Sequence, residues 1–467
     1  MRADNTATLT IRDLLTIGLG PVIGVGWITG VGIWIAQAGP LGAVLAFLAG
    51  GFVVLLVGLC YAEMCSITDN YGGEIAYAER AFGRRGAFLA AWSLVLIYIS
   101  ALSFEGISFG WVVTALFPGL REAVAYRVFG QPVTQVALVS GLGGILLIAV
   151  VNYAGSTFAA GFQRGATYAK LALVLAVIVL GISFGQRANL TPLFIDTPRR
   201  SALHGWLLVV LTTPFWLAGF NAVTQAFSES SRQVSPRQMA LVVLCSICAA
   251  IAFYCLIVVS ISMSMPHASL VSLNLPAAGA LDALLGSGAG RIALMAGLLG
   301  LFSAWNAIFF AMTRVLSDLS FRGYLPRWLA LHGADHTTRR SSIVTCALLG
   351  AAGVASGRGA ILPILDSASA CIACVFALVA ASMLMLRIRR RDLHRPFRVP
   401  AGPVVAVIAL AASCTLVGLS IQQSLVEDGL APVLGILGAW VFIGALLYVR
   451  LRRTVIPVTE ATSARKY

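Results

Sequence analysis

Two apolar segments of this chain are interrupted by glycine. The first is Pro21-Val22-Ile23-Gly24-Val25-Gly26-Trp27, and the second is Pro214-Phe215-Trp216-Leu217-Ala218-Gly219-Phe220-Asn221. Unwound backbone leaves N–H and C=O groups without helical partners, and hydrocarbon cannot satisfy them, so such a break must face protein, water or a ligand. The half-helix that begins near Trp27 would present free N–H donors and about half a positive charge, which suits a carboxylate. Against this stands the ordinary use of glycine as a close-packing residue in membrane helices. Two breaks at matching places favour a binding site for a small polar solute.

The ionisable residues add a second kind of chemistry. Lys170 is one of only two lysines, the other being Lys466, and it lies inside an apolar stretch. A charge near mid-membrane costs on the order of 3 kcal/mol, so it needs a partner or a use. Two uses stand side by side: a proton switch, which a buried lysine can serve where arginine cannot, or a permanently charged strut tied to backbone carbonyls. Glu105 and Asp366 are acids within apolar stretches as well. Facing a pathway, they would draw a cationic or amine-bearing solute. The alternatives for Glu105 are an ion pair with Lys170 or a protonated, hydrogen-bonded carboxyl. Ser103, Ser303, Trp305 and Asn306 are further pathway candidates, while Glu63 and Arg314 sit where spans end and suit an inner gate.

The elements that must hold these groups follow from composition. Among 467 residues, 59% are hydrophobic and 11% charged, with a mean hydropathy of +0.91, which excludes a soluble globular protein. Twelve apolar stretches lie between residues 11 and 450, each long enough to cross the hydrocarbon core at roughly 20 residues per span. Among them are 11–38, 86–117, 165–185, 205–227, 289–316 and 360–387, the first, third, fifth, sixth, eighth and tenth. No cleavable leader is expected before the first. The net charge of +14 does not indicate nucleic acid, because most of the 32 Lys and Arg sit in alternate connections, a pattern that sets topology and places both termini in the cytoplasm. The densest cluster, Arg387, Arg389, Arg390, Arg391, Arg395 and Arg398, reads as a topology anchor that touches anionic membrane lipid. Cys245 and Cys248, like Cys371 and Cys374, have metal-pair spacing, but apolar surroundings without histidine argue for packing rather than a metal site. No cofactor is expected.

Five is odd, so five spans followed by five more start from opposite sides of the membrane. The expected organisation is a single membrane domain with a first repeat over 11–185, a second, inverted repeat over 205–387, and two further helices over 401–450.

The residues then carry a family resemblance. Ile23-Gly24-Val25-Gly26, Gly39-Pro40, Glu63, Gly72-Gly73-Glu74, the stretch from Gln163 to Lys170, Gly219-Phe220-Asn221, and Arg314 through Gly323-Tyr324-Leu325-Pro326 occur in order over residues 10 to roughly 400. The chain resembles the amino acid, polyamine and organocation permeases. That resemblance implies an all-α integral membrane fold of twelve transmembrane helices, a LeuT-type five-plus-five inverted repeat with helices 1 and 6 broken. It also implies that Ile23 to Trp27 takes the carboxylate of a substrate and that carbonyls around Ala218 and Gly219 take its ammonium. Phe215 resembles the aromatic lid of the family, with Trp216 or Phe220 as alternatives. Lys170 is similar to the span-five lysine of proton-coupled relatives.

Together these readings point to a secondary carrier of amino acids or related amines in a bacterial cytoplasmic membrane, driven by protons or by exchange, with a cationic amine or polyamine permease as the alternative. No phosphate-binding loop for ATP is present. A multispan membrane enzyme or a channel is the rival class, but mid-span acids without histidine supply poor catalytic machinery. The oligomeric state is not legible.

Overall fold

In a computed structural model, residues 10–67, 73–120, 123–153, 156–198, 201–225, 234–330, 340–427 and 432–452 are described. Gly72, Lys466, both termini, residues 331–339 and the side chains at 163, 164 and 166 lie outside them.

The chain opens with α1 (Ile11–Val22), α2 (Gly26–Thr29), α3 (Val31–Ile67) and α4 (Gly73–Leu116). A hairpin of β1 (Val124–Val128) and β2 (Gln131–Thr134) leads to α5 (Gln135–Tyr153), α6 (Ser156–Phe184), α7 (Ala202–Leu217) and α8 (Asn221–Gln225). There follow α9 (Pro236–Ser264), α10 (His267–Val271), α11 (Pro276–Leu285), α12 (Gly290–Phe321), α13 (Arg340–Ala355), α14 (Ile361–Arg389), α15 (Gly402–Glu427) and α16 (Pro432–Arg452). Among the described residues, 10 helices are long and apolar enough to cross a membrane. The expected first and ninth spans are the shorter apolar helices Leu14–Thr29 and Arg340–Ala355.

The first span is short because its backbone is broken after Val22 and resumes at Gly26. Its last turns run on into the start of α3, which bends at Gly39 (φ 74°, ψ 168°). Only glycine fits there, since φ is left-handed and a Cβ would meet the Leu193 carbonyl oxygen at 2.6 Å. Pro40 follows with no N–H to lose, and the Leu193 carbonyl accepts from the N–H groups of Leu41 and Gly42. A second bend at Gly83 (φ 67°) sets the opening segment of α4 apart from its long apolar body.

The core is built by α3 packed on α7 and α9, and by α4 packed on α12 and α14. The outermost helix, α16, is anchored by stacked rings of Trp92 and Trp440, 4.2 Å apart, each donating its indole N–H to the other's carbonyl.

Part of the arginine cluster after α14 is bound within the protein. Arg387 grips the Glu63 carboxylate through two N–H groups at 2.7 and 2.5 Å. Arg395 approaches the same carboxylate at 3.3 Å, and the Val399 N–H donates to it at 2.8 Å. Glu63 is only 1% exposed, and a buried carboxylate needs such compensation. Two of the six arginines are therefore turned inward, while Arg389, Arg390, Arg391 and Arg398 remain exposed. The Arg314 guanidinium lies over the Phe310 ring at 4.0 Å.

Candidate functional site

The two breaks lie against each other. Gly219 has φ 127°, and a Cβ there would meet the Pro21 side chain at 3.0 Å and the Val22 nitrogen at 3.1 Å. The missing side chain at Gly219 lets the crossing segments approach this closely. Between them and the body of α4 lies a cavity of about 100 Å³.

The first break gives the cavity Pro21, Val22, Gly24 and Gly26, and the second gives Phe215, Trp216, Ala218, Gly219, Phe220 and Asn221. The facing wall comes from α4, with Leu94, Ile97, Tyr98, Ala101, Phe104 and Glu105, and from Ala307 and Ile308 of α12 and Ile372, Val375 and Phe376 of α14. Ile23 is the last residue of the first half-helix to donate backward, to the Leu19 carbonyl at 3.1 Å. The N–H groups of Gly24, Val25, Gly26 and Trp27 have no backbone acceptor among the described residues, whereas Ile28 and Thr29 both donate to Val25. Gly24 and Gly26 line the cavity, and free donors there are what an anionic group requires.

The break is braced by two side chains. Tyr254 donates its hydroxyl to the Val22 carbonyl at 2.8 Å. Lys170, fully buried, donates to the Gly20 carbonyl at 2.5 Å and to Ser303 at 3.1 Å, and Thr167 meets the same Ser303 hydroxyl at 3.2 Å. Lys170 thus sits behind the broken segment rather than in the cavity. Glu105 sits on the cavity side: a Cβ on Gly24 would lie 3.1 Å from its Oε1, and its Oε2 is buried without a hydrogen-bond partner. No ion pair within 4.0 Å joins Glu105 to Lys170 among the described residues.

The two ends of the cavity differ. At one end Phe215 meets the edges of Phe104 and Trp216, with ring centroids 5.7 and 5.2 Å apart. At the other, Phe220 packs with Tyr61 and Phe376, and a buried acid, Glu74, accepts from the Tyr61 hydroxyl at 3.1 Å and from Asn221 Nδ2 at 2.9 Å. The three aromatics considered for a lid therefore divide between opposite ends.

Several residues named from the sequence are not brought to the cavity. Ser103 donates to the Ile99 carbonyl and points at Gly353. Trp305 packs against Gly144 and Gly106. Ile23, Val25 and Trp27 are buried in protein beside the break, and Asp366 is half-buried and absent from the lining. Asn306 accepts from Asn152 at 3.0 Å and ties α12 to α5. The helical period explains the α4 cases: residues 94, 97, 98, 101, 104 and 105 share one face, and 103 lies about 100° to 180° away from them. Glu74, Tyr61 and Tyr254 were missed. The signal for Glu74 was present, an acid just after the Gly72-Gly73 pair, but that segment reads as a solvated link rather than as the cavity's end.

A profile described as Amino acid permease matches residues 9–442. The chain belongs to the amino acid permease family. Within that family it is 26% identical to the branched-chain amino acid permease of Lactococcus lactis subsp. cremoris, over 94% of this chain and 93% of that one. It is 25% identical to the aromatic amino acid transport protein of Corynebacterium glutamicum, over 89% of each. It is also 25% identical to the methylthioribose transporter of Bacillus subtilis, over 86% of each. These relatives are permeases or transporters, so the permease is a multi-pass membrane protein and not an enzyme. It falls within the amino acid, polyamine and organocation superfamily that its motifs resemble.

Proposed function

We propose that this permease carries amino acids or related amines across the cytoplasmic membrane of a bacterium by alternating access, as a secondary carrier. The observation that supports this best is the pair of broken helices meeting at a cavity, with the unaccepted N–H groups of Gly24 to Trp27 on one side and the Ala218 turn on the other. A solute's carboxylate fits the first and its ammonium the second. The side chain then extends along Leu94, Ile97, Ile308, Ile372 and Phe376, walls suited to an apolar group, as the names of the branched-chain and aromatic amino acid relatives would suggest. The twelve-span, five-plus-five arrangement, with repeats over 11–185 and 205–387 and cytoplasmic termini, is part of this reading.

Coupling to protons belongs to it as well. A solute carboxylate at Gly24 would lie beside the Glu105 carboxyl, and two adjacent ionised carboxylates repel strongly in a dry site, so loading favours a solute that arrives with a proton. Lys170, hydrogen-bonded to the Gly20 carbonyl, ties the charge state of α6 to the position of the break. A cationic amine substrate is the second reading, favoured by the unpartnered Oε2 of Glu105. Phe215 would close the cavity at one end and the Tyr61–Glu74–Asn221 cluster at the other, the inner one.

Uptake and counterflow of labelled leucine, phenylalanine, lysine and putrescine in proteoliposomes test this. A saturable signal with counterflow means a carrier. Flux linear in concentration without counterflow would mean a channel and would overturn the proposal.

A further inference from the structure

A second pocket, of about 410 Å³, opens where the N-terminus of α9 meets the loop after α14. Its lining is Arg237, Leu241, Arg395, Pro396, Phe397 and Arg398. This combination of cationic and apolar groups is unlike the transport cavity, and it lies at the end of the bundle that carries the arginine cluster.

The roles of the three arginines differ. Arg395 is 8% exposed and committed to Glu63 and to the carbonyls of Leu386, Arg390 and Leu393. Arg237 is exposed and donates only its Nε, to the Pro396 carbonyl at 3.0 Å, while Arg398 is exposed and makes no hydrogen bond among the described residues. Two guanidinium groups at the rim of one pocket can hold a phosphate by paired N–H donors. Leu241, 55% exposed, begins the outward face of α9 that continues through Cys245, Cys248, Ala252 and Leu256. Small residues between the two leucines make that face a shallow apolar track running from the pocket along a helix long and apolar enough to cross the membrane.

We infer that this pocket binds one anionic phospholipid, with its phosphate between Arg237 and Arg398 and an acyl chain along the outward face of α9. A free phosphate would use the arginines and leave the track unused, whereas a phospholipid fills both. The loop that would carry the lipid also supplies Arg395 and the Val399 N–H to Glu63 at the end of α3, so occupancy of the pocket bears on how that loop is held.

The test uses the full chain extracted from vesicles of mixed phosphatidylglycerol and phosphatidylcholine, with retained lipid counted by mass spectrometry of the intact protein. One phosphatidylglycerol is expected to remain in preference to phosphatidylcholine. Arg398→Gln should lower that retention about five-fold, and the Arg237→Gln/Arg398→Gln pair further, as expected for an arginine near an anionic surface. Arg398→Gln removes no hydrogen bond among the described residues, so it keeps the test open should the double variant fold poorly. Equal retention in the single variant and the wild type would overturn the proposal. So would displacement of the lipid by inorganic phosphate alone, which would assign the pocket to a free anion.

Discussion

Lys170 donates its ammonium proton to the carbonyl of Gly20 at 2.5 Å, joining α6 to the last turn of helix before the first break. A cation with no exposed surface is thereby fixed on the very segment whose free N–H groups border the cavity. Whether that bond persists through a transport cycle separates a strut from a switch.

Lys170→Ala is expected to abolish accumulation driven by a pH gradient while substrate exchange across proteoliposomes survives. Measuring uptake with and without an imposed gradient, alongside counterflow, checks this. An unchanged pH response with only a lowered melting temperature would assign Lys170 to a structural role, and strong stimulation of the wild type by sodium would count against proton coupling.

Gly26→Leu should weaken binding sharply and leave the fold intact. Even a Cβ there meets the Trp216 ring at 2.5 Å, so the larger side chain must displace that ring, which lines the cavity. A loss of at least about ten-fold in affinity, equivalent to about 1.4 kcal/mol, is expected from ligand-dependent thermal shift. Wild-type affinity would place the substrate elsewhere.

Glu105→Gln tests what the acid reads. If a substrate amine contacts it, a dicationic competitor should weaken by roughly 1.5 to 3 kcal/mol, the range for hydrogen bonds to charged groups, while leucine changes little. If the carboxyl instead carries the coupled proton, leucine uptake should lose its pH dependence and competition by lysine or putrescine should not shift selectively. Competition curves at two pH values distinguish the outcomes.

Asn221→Ala removes a donor that Glu74 Oε1 shares with the Tyr61 hydroxyl and should loosen the inner closure. A lost hydrogen bond to a charged acceptor is worth about 1.5–3 kcal/mol. A cysteine placed at Ala311, on the cavity wall, should then be labelled at least several-fold faster from the cytoplasmic side. Unchanged labelling would show that the aromatic packing of Tyr61, Phe220 and Phe376 closes that end alone.

Glu63→Gln leaves the largely buried Arg387 without a counter-charge. Breaking one partner of a buried pair typically costs 3–5 kcal/mol, so a large drop in detergent melting temperature is expected, with substrate affinity in the surviving folded protein nearly unchanged. A melting temperature within error of wild type would mean that the carboxylate is not the anchor of this loop.

The class of protein was legible from hydropathy, because spans must be long and apolar whatever surrounds them. The breaks were legible because glycine and proline act locally: Gly24, Gly26 and Gly219 line one cavity at the places their sequence marks. Lys170 stood out for the same reason, since a lone lysine in an apolar run has few tolerable environments. Which face of each helix meets the cavity was not legible. In the most apolar stretch of α4, 83% of residues are buried inside the protein, so no contrast between lipid and core distinguishes Ala101 and Glu105, which line the cavity, from Ser103, which does not. Glu74 and Arg387 show the other limit. Both lie near the ends of apolar segments, where a charge reads as facing water, yet one is held by Asn221 and Tyr61 at the cavity and the other neutralises Glu63. A charge is drawn to its partner through space, and only the tertiary structure decides which partner that is.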